Sequence, residues 1–249
     1  TNGSVALAKS FGAQTVTLKT ARPTAALARN EAWRRSPGDF ILFLDGDTIL
    51  HPRFVLDSLP EFRKERVAVV WGHRREINRA GSVYNRVLDL DWVYAPGVTE
   101  FCGGDALMRR SVLQEVGGFD ERLIAGEEPE LCRRVRGLGY QISHVDRAMT
   151  GHDLGITHFS QYWKRAVRAG YAYAEVSARF RESSMPFWRA ESQRNLLRAA
   201  VLMAGPVIAV SLGVLFQSVY PVAGLLLLGC MLVWRTISRS RWKASDYST

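Results

Sequence analysis

The 249-residue sequence predicts an α/β domain on a mainly parallel sheet with flanking helices, followed by a C-terminal transmembrane helical hairpin. Three observations predict it. Over residues 1–155 short apolar runs alternate with helix-period segments, the pattern of strands and helices around a buried sheet. From Leu196 on, the chain is apolar over lengths that suit a bilayer. The net charge of +9 is unevenly spread, almost all of the positive excess lying after residue 160.

In chain order, a helix is expected near Val5 to Phe11, a strand at Thr15 to Leu18 and a helix at Thr24 to Arg35. The five apolar residues Phe40 to Leu44 are short and β-prone enough to be a buried strand. A helix at Pro52 to Arg66 and a strand at Val67 to Trp71 follow, then a loop-rich stretch. Ala106 to Arg109 is a strand, Ser111 to Val116 and Pro129 to Leu138 are helices, and Tyr140 to Val145 is a strand. Residues 156–190 form an amphipathic, interfacial helical segment, in which Gln161 to Glu182 spaces aromatics among Lys and Arg as a helix lying on anionic lipid does.

Leu196 to Phe216 carries one charge, Arg198, and is long enough to cross a hydrocarbon core; Pro221 to Trp234 is the second arm, giving two transmembrane helices within 196–237. Arg189, Arg194 and Arg198 precede the hairpin, and Arg235, Arg239, Arg241 and Lys243 follow it. Both ends therefore face the cytoplasm, with residues 238–249 as a basic cytoplasmic tail. The excess charge surrounds apolar helices rather than the α/β domain, which argues against a nucleic-acid partner and for membrane lipid. Cys102, Cys132 and Cys230 are isolated and without metal-type spacing, so neither a disulfide framework nor a zinc site is indicated, and a reducing compartment fits.

The stretch FILFLDGDTIL sets Asp45 and Asp47 at the carboxyl end of a strand, where open α/β sheets hold their ligands. Alternation puts both side chains on one face, and Gly46 between them allows close backbone approach. Two like charges so placed repel unless a cation lies near, and hard oxygen ligands favour magnesium or manganese. A strand-ending Asp-Gly turn is the plainer alternative.

FLDGDT does not stand alone. TARPTAALARNEAW lies upstream; CGGDALMRRSVLQEVGGFDERL, residues 102–123, and GEEPELCRRVRGLGYQI, residues 126–142, lie downstream. Together and in this order they resemble glycosyltransferase family 2, membrane-associated GT-A-fold (Rossmann-like) enzymes that use nucleotide-diphosphate sugars. The resemblance implies that Asp45 faces the ribose and the metal shell, and that Asp47 is the main protein ligand of Mg2+ or Mn2+. It implies nucleotide contacts from Arg29 and Asn30, and acceptor contacts from Gly104 and Asp105. Glu128 is the implied base, with Glu127 beside it; Pro129 suits a first helical turn, where the dipole favours ionised carboxylates. The family more often has Glu-Asp here. His152 is carried over as a metal ligand, and Trp163 and Arg165, an imperfect echo of a QxxRW signature, as acceptor-site or interfacial contacts.

The expected activity is therefore inverting, metal-dependent transfer of a sugar from a nucleotide-diphosphate-sugar donor to a hydroxyl of a lipid-linked or polysaccharide acceptor, at the cell membrane with the catalytic domain cytoplasmic. Thr1-Asn2-Gly3-Ser4 falls where the family ends its DDGS-type stretch, so the sequence is expected to be an N-terminally truncated fragment that lacks the first strand, with loss of activity as it stands one expected consequence. A nucleotidyltransferase and an inactive membrane scaffold that binds a nucleotide sugar are the alternatives.

Overall fold

A computed structural model describes residues 3–245, which fall into two compact units. The first comprises the chain up to His73 together with Ala95–Thr150, and the second comprises Arg74–Tyr94 and the chain from Gly151 on. Of the basic tail expected at 238–249, residues 246–249 lie outside the described residues.

The first unit is organised by a six-stranded sheet. Its strands are β1 (Phe40–Phe43), β2 (Thr48–Leu50), β3 (Val67–Glu76), β4 (Gly97–Thr99), β5 (Ala106–Arg109) and β6 (Gln141–His152), the last residues of β3 and β6 being counted with the second unit. The order is β1-β5-β3-β6-β2, with β4 paired to β6. The sheet is mixed, which corrects the expectation of a mainly parallel one. β5 runs antiparallel to β1, from Phe40 opposite Arg109 to Phe43 opposite Ala106, and antiparallel to β3, with Val69 opposite Met108. β4 is antiparallel to β6. A fully buried strand such as Val67–Trp71 is apolar on both faces whichever way its neighbour runs, so the hydrophobic pattern carried no sign of direction.

Helix α1 (Ser4–Ser10) precedes the residues expected as the first strand. Residues 13–20 have no regular structure: Val16 is exposed and Leu18 half-buried, too little apolar burial to offset the ordering of the backbone. Helix α2 (Ala25–Arg35) begins where expected, because Thr24 Oγ1 accepts from the Leu27 amide at 3.1 Å. The helix expected over 52–66 is broken into α3 (Phe54–Ser58) and a 3-10 turn at Leu59–Arg63 containing Pro60, which has no amide to donate. Helix α4 (Val83–Asp91), in the second unit, and strand β4 arise in the stretch expected to be loop. Helices α5 (Arg110–Glu115) and α6 (Glu127–Gly137) follow. The core gathers Phe54, Met108, Leu113, Leu131, Ile142 and Met149, all essentially inaccessible.

The second unit holds α4, α7 (Phe159–Arg179), α8 (Arg189–Leu215) and α9 (Tyr220–Ser245). Asp89 on α4 anchors it, accepting from Arg75 Nη2 at 2.8 Å and from the Glu76 amide at 2.8 Å. Along α7, Phe159, Trp163, Val167 and Tyr171 recur every four residues and are all exposed. Among the described residues α8 alone is long and apolar enough to cross a membrane, by length and composition, with 27 residues and a mean hydropathy of 1.9 over its apolar 18-residue stretch. The apolar part of α9, Tyr220–Arg235, is shorter. The two helices pack together, a Cβ at Gly205 falling 3.3 Å from the Leu225 side chain.

Candidate active site

The site of the first unit grows from the end of β1. Because β5 opposes β1 with Phe43 against Ala106, the residues just before β5 lie beside the residues just after β1. The Asp45 amide donates to Asp105 Oδ1 at 2.8 Å, and Thr150 Oγ1 donates to Asp105 Oδ2 at 2.7 Å. Asp105, read from sequence as an acceptor contact, is 2% exposed with both oxygens engaged, and it seats Asp45. Gly104 leaves room for the Asp45 carboxylate, since a Cβ there would lie 2.4 Å from Oδ2.

Asp45 and Asp47 bring carboxylate oxygens within 4.8 Å of each other. Asp45 is also joined to the helices. Arg29, on α2, donates through Nη2 to Asp45 Oδ1 at 2.7 Å and through Nη1 to Glu127 Oε1 at 3.0 Å and Glu128 Oε1 at 2.7 Å. Its side chain is only 12% exposed, which excludes a solvated surface charge. Burial by itself would lower its pKa, but Glu128, Asp45 and Glu127 more than offset this and raise it, so the guanidinium is permanently charged.

Glu127 and Glu128 open α6, with Gly126 supplying the left-handed N-cap at φ 85. Their carboxylates thus meet both the positive helix end and Arg29. Arg29 stands against Asp45, Glu127 and Glu128, with Asp47 next to Asp45. The carboxylates offer hard oxygen ligands, which fit a divalent cation.

Asn30, expected to touch the nucleotide, has another occupation. It is 1% exposed; Nδ2 donates to Phe119 O and Glu121 Oε1, each at 2.8 Å, while Oδ1 accepts from the Phe119 amide and Trp33 Nε1. It pins the Gly-Gly-Phe turn, where Gly118 has φ +78 and a Cβ would strike Asn30 Oδ1 at 2.5 Å.

His152, Trp163 and Arg165 belong to the second unit. His152 closes β6, is 4% exposed and lies 4.9 Å, centroid to centroid, from Trp92, over which the Arg74 guanidinium sits at 5.3 Å. Trp163 and Arg165 lie exposed on α7. The sequence reading missed Thr150, which supports Asp105, and the contact of Cys102 with Cys132. Thr150 lies in a strand whose length was underestimated, and two cysteines 30 residues apart show no spacing to read.

The family model for glycosyl transferase family group 2 matches residues 40–237, which span all the site residues except Arg29 and Asn30. The chain belongs to this family. Among its relatives are a probable glycosyltransferase of Bacillus subtilis, YdaM, 28% identical over 153 residues, and a pre-mycofactocin glycosyltransferase of Mycobacterium tuberculosis, 26% identical over 173 residues. These matches cover 57% and 65% of the chain and 36% of each relative, so the chain spans about a third of their length. An O-antigen chain rhamnosyltransferase of Salmonella anatum, WbaN, is 24% identical, over 60% of this chain and 58% of the relative. Among solved structures, a mannosyltransferase of Pyrobaculum calidifontis in complex with GDP-Man and Mn2+ superposes with a TM-score of 0.66 over 99% of this chain and 74% of its own, at 17% identity. That likeness is one of fold, and it gives this family 2 glycosyltransferase chain its GT-A architecture.

Proposed function

We propose that this family 2 glycosyltransferase moves a sugar from a nucleotide-diphosphate donor to a hydroxyl of a lipid-linked or polysaccharide acceptor, with inversion, beside a membrane. One observation carries the reading: Arg29 joins Asp45, the strand-end carboxylate of a donor site, to Glu128, the helix-start carboxylate of a base. The two functions thus lie within the span of one guanidinium.

Glu128 accepts the proton of the acceptor hydroxyl as that oxygen attacks the anomeric carbon, while the bond from that carbon to the diphosphate oxygen breaks and the nucleoside diphosphate departs. Glu128 stands at the start of α6 against Arg29, and Glu127 is the neighbour able to take its place. Asp47 and Asp45 are the proposed metal ligands. A bound Mg2+ or Mn2+ supplies charge neutralisation for the leaving diphosphate. Asp105 and Gly104 fix Asp45. The apolar α8, with α9 as the second arm of a hairpin, holds the enzyme in the membrane, and Trp163 and Arg165 on α7 meet lipid or acceptor at its surface.

The test is a transfer assay on the full-length protein with nucleotide-sugar donors and added Mn2+. Glu128→Gln should keep donor binding and lose transfer, and Asp47→Ala should lose the metal dependence. Donor turnover indifferent to Asp47→Ala would overturn the reading.

A further inference from the structure

We propose that Cys102 and Cys132 are a covalent modification site, a reversible disulfide that ties the loop seating Asp45 to the helix carrying Glu128. The thiols meet at 3.5 Å between sulfurs, buried to 2% and 0% exposure, although they are 30 residues apart in sequence. Cys102 lies in residues 100–105, which have no regular secondary structure and lead through Gly104 to Asp105; Cys132 is the sixth residue of α6. Such a loop can yield where a strand cannot. A disulfide needs its sulfurs about 2.05 Å apart, so closure draws the two together by about 1.5 Å.

The chemistry balances with a peroxide as the two-electron oxidant. One thiol is oxidised to a sulfenic acid as the O–O bond breaks and water leaves; the second thiol then attacks that sulfur, forming the S–S bond and releasing a second water. The hydrogen bond to Cys132, together with burial, pushes the Cys102 thiol well up, so Cys102 reacts slowly. The bond should therefore form on prolonged exposure and faster at alkaline pH.

Gly104 gives the movement its consequence. Asp45 Oδ2 lies only 2.4 Å from where a Cβ would be on Gly104, so the loop is packed closely on that side and a pull on Cys102 disturbs the seat of Asp45. The consequence for turnover rests on the transferase reading, whereas the bond itself does not.

The test incubates the full-length protein with hydrogen peroxide, blocks remaining thiols by alkylation and maps peptides by mass spectrometry. The expected result is a Cys102–Cys132 linked peptide, absent from the untreated protein, with Cys230 recovered outside that link. Transfer should fall at least fivefold and return with dithiothreitol, and Cys102→Ser should be indifferent to peroxide. Both cysteines recovered as alkylated thiols would overturn the site; a linked peptide with undiminished transfer would overturn its coupling to Asp45. A reduced protein with no transfer towards any donor, yet forming the bond, would count against the transferase reading and leave the disulfide standing.

Discussion

Arg29 and Glu128, 99 residues apart, form a buried ion pair at 2.7 Å. The same guanidinium holds Asp45 at 2.7 Å, so a single side chain sets the separation of the strand-end and helix-start carboxylates.

Arg29→Met should leave three neighbouring carboxylates without their cation. Breaking a buried pair from one side costs about 3–5 kcal/mol, read as a lower thermal midpoint. Arg29→Lys keeps the charge but not the fork that reaches three partners. Its kcat should drop about 100-fold, as a small misplacement of reacting groups does, with a smaller loss of stability. Transfer kinetics beside thermal melts separate the two effects.

Gly104→Ala should act on function more than on fold. The added methyl meets the Asp45 carboxylate at 2.4 Å, and the aspartate must turn away. Mn2+ affinity measured by calorimetry without donor should fall, while circular dichroism stays that of the parent. An unchanged affinity would mean that Asp45 is not a ligand.

Asn30→Ala gives the opposite signature. Several buried hydrogen bonds are lost and the partners Phe119 and Trp33 are left unsatisfied, at about 2–3 kcal/mol. The Michaelis constant for the donor should hold at temperatures where the variant is folded.

Asp89 makes the second unit sensitive to acid. Burial works against its ionised form, but hydrogen bonds from Arg75 and the Glu76 amide, with the charges of Arg75 and Arg79, outweigh it and hold the carboxyl below its usual range. A depressed native pKa means stability present in full above the unfolded value of about 4 and lost as pH falls through the native one. Acid titration followed by a probe on α4 should show this limb, and Asp89→Asn should remove it, lowering stability at neutral pH by about 3 kcal/mol.

How legible the molecule was depends on what each signal encodes. The Phe40–Phe43 and Ala106–Arg109 strands and α2 were plain, since apolar runs and helix periods are local. The Asp45 to Asp47 step and the acidic start of α6 could be found because each is a short string. The direction of β5, the ties of Asp105 to Asp45 and Thr150, and the grip of Arg29 on two elements are relations between distant segments. No single string holds them. Asn30 shows the same limit: its motif pointed to a ligand, whereas its surroundings turn it inward to the Phe119 backbone.

The antiparallel match of Phe43 with Ala106 makes strand alignment a determinant of chemistry. Side chains alternate along a strand, so sliding β5 by one position would send Asp105 to the opposite face and leave the Asp45 amide without its acceptor. Insertions at the β5 entrance should thus be poorly tolerated even where they spare every charged residue, because what they alter is the phase of the pleat.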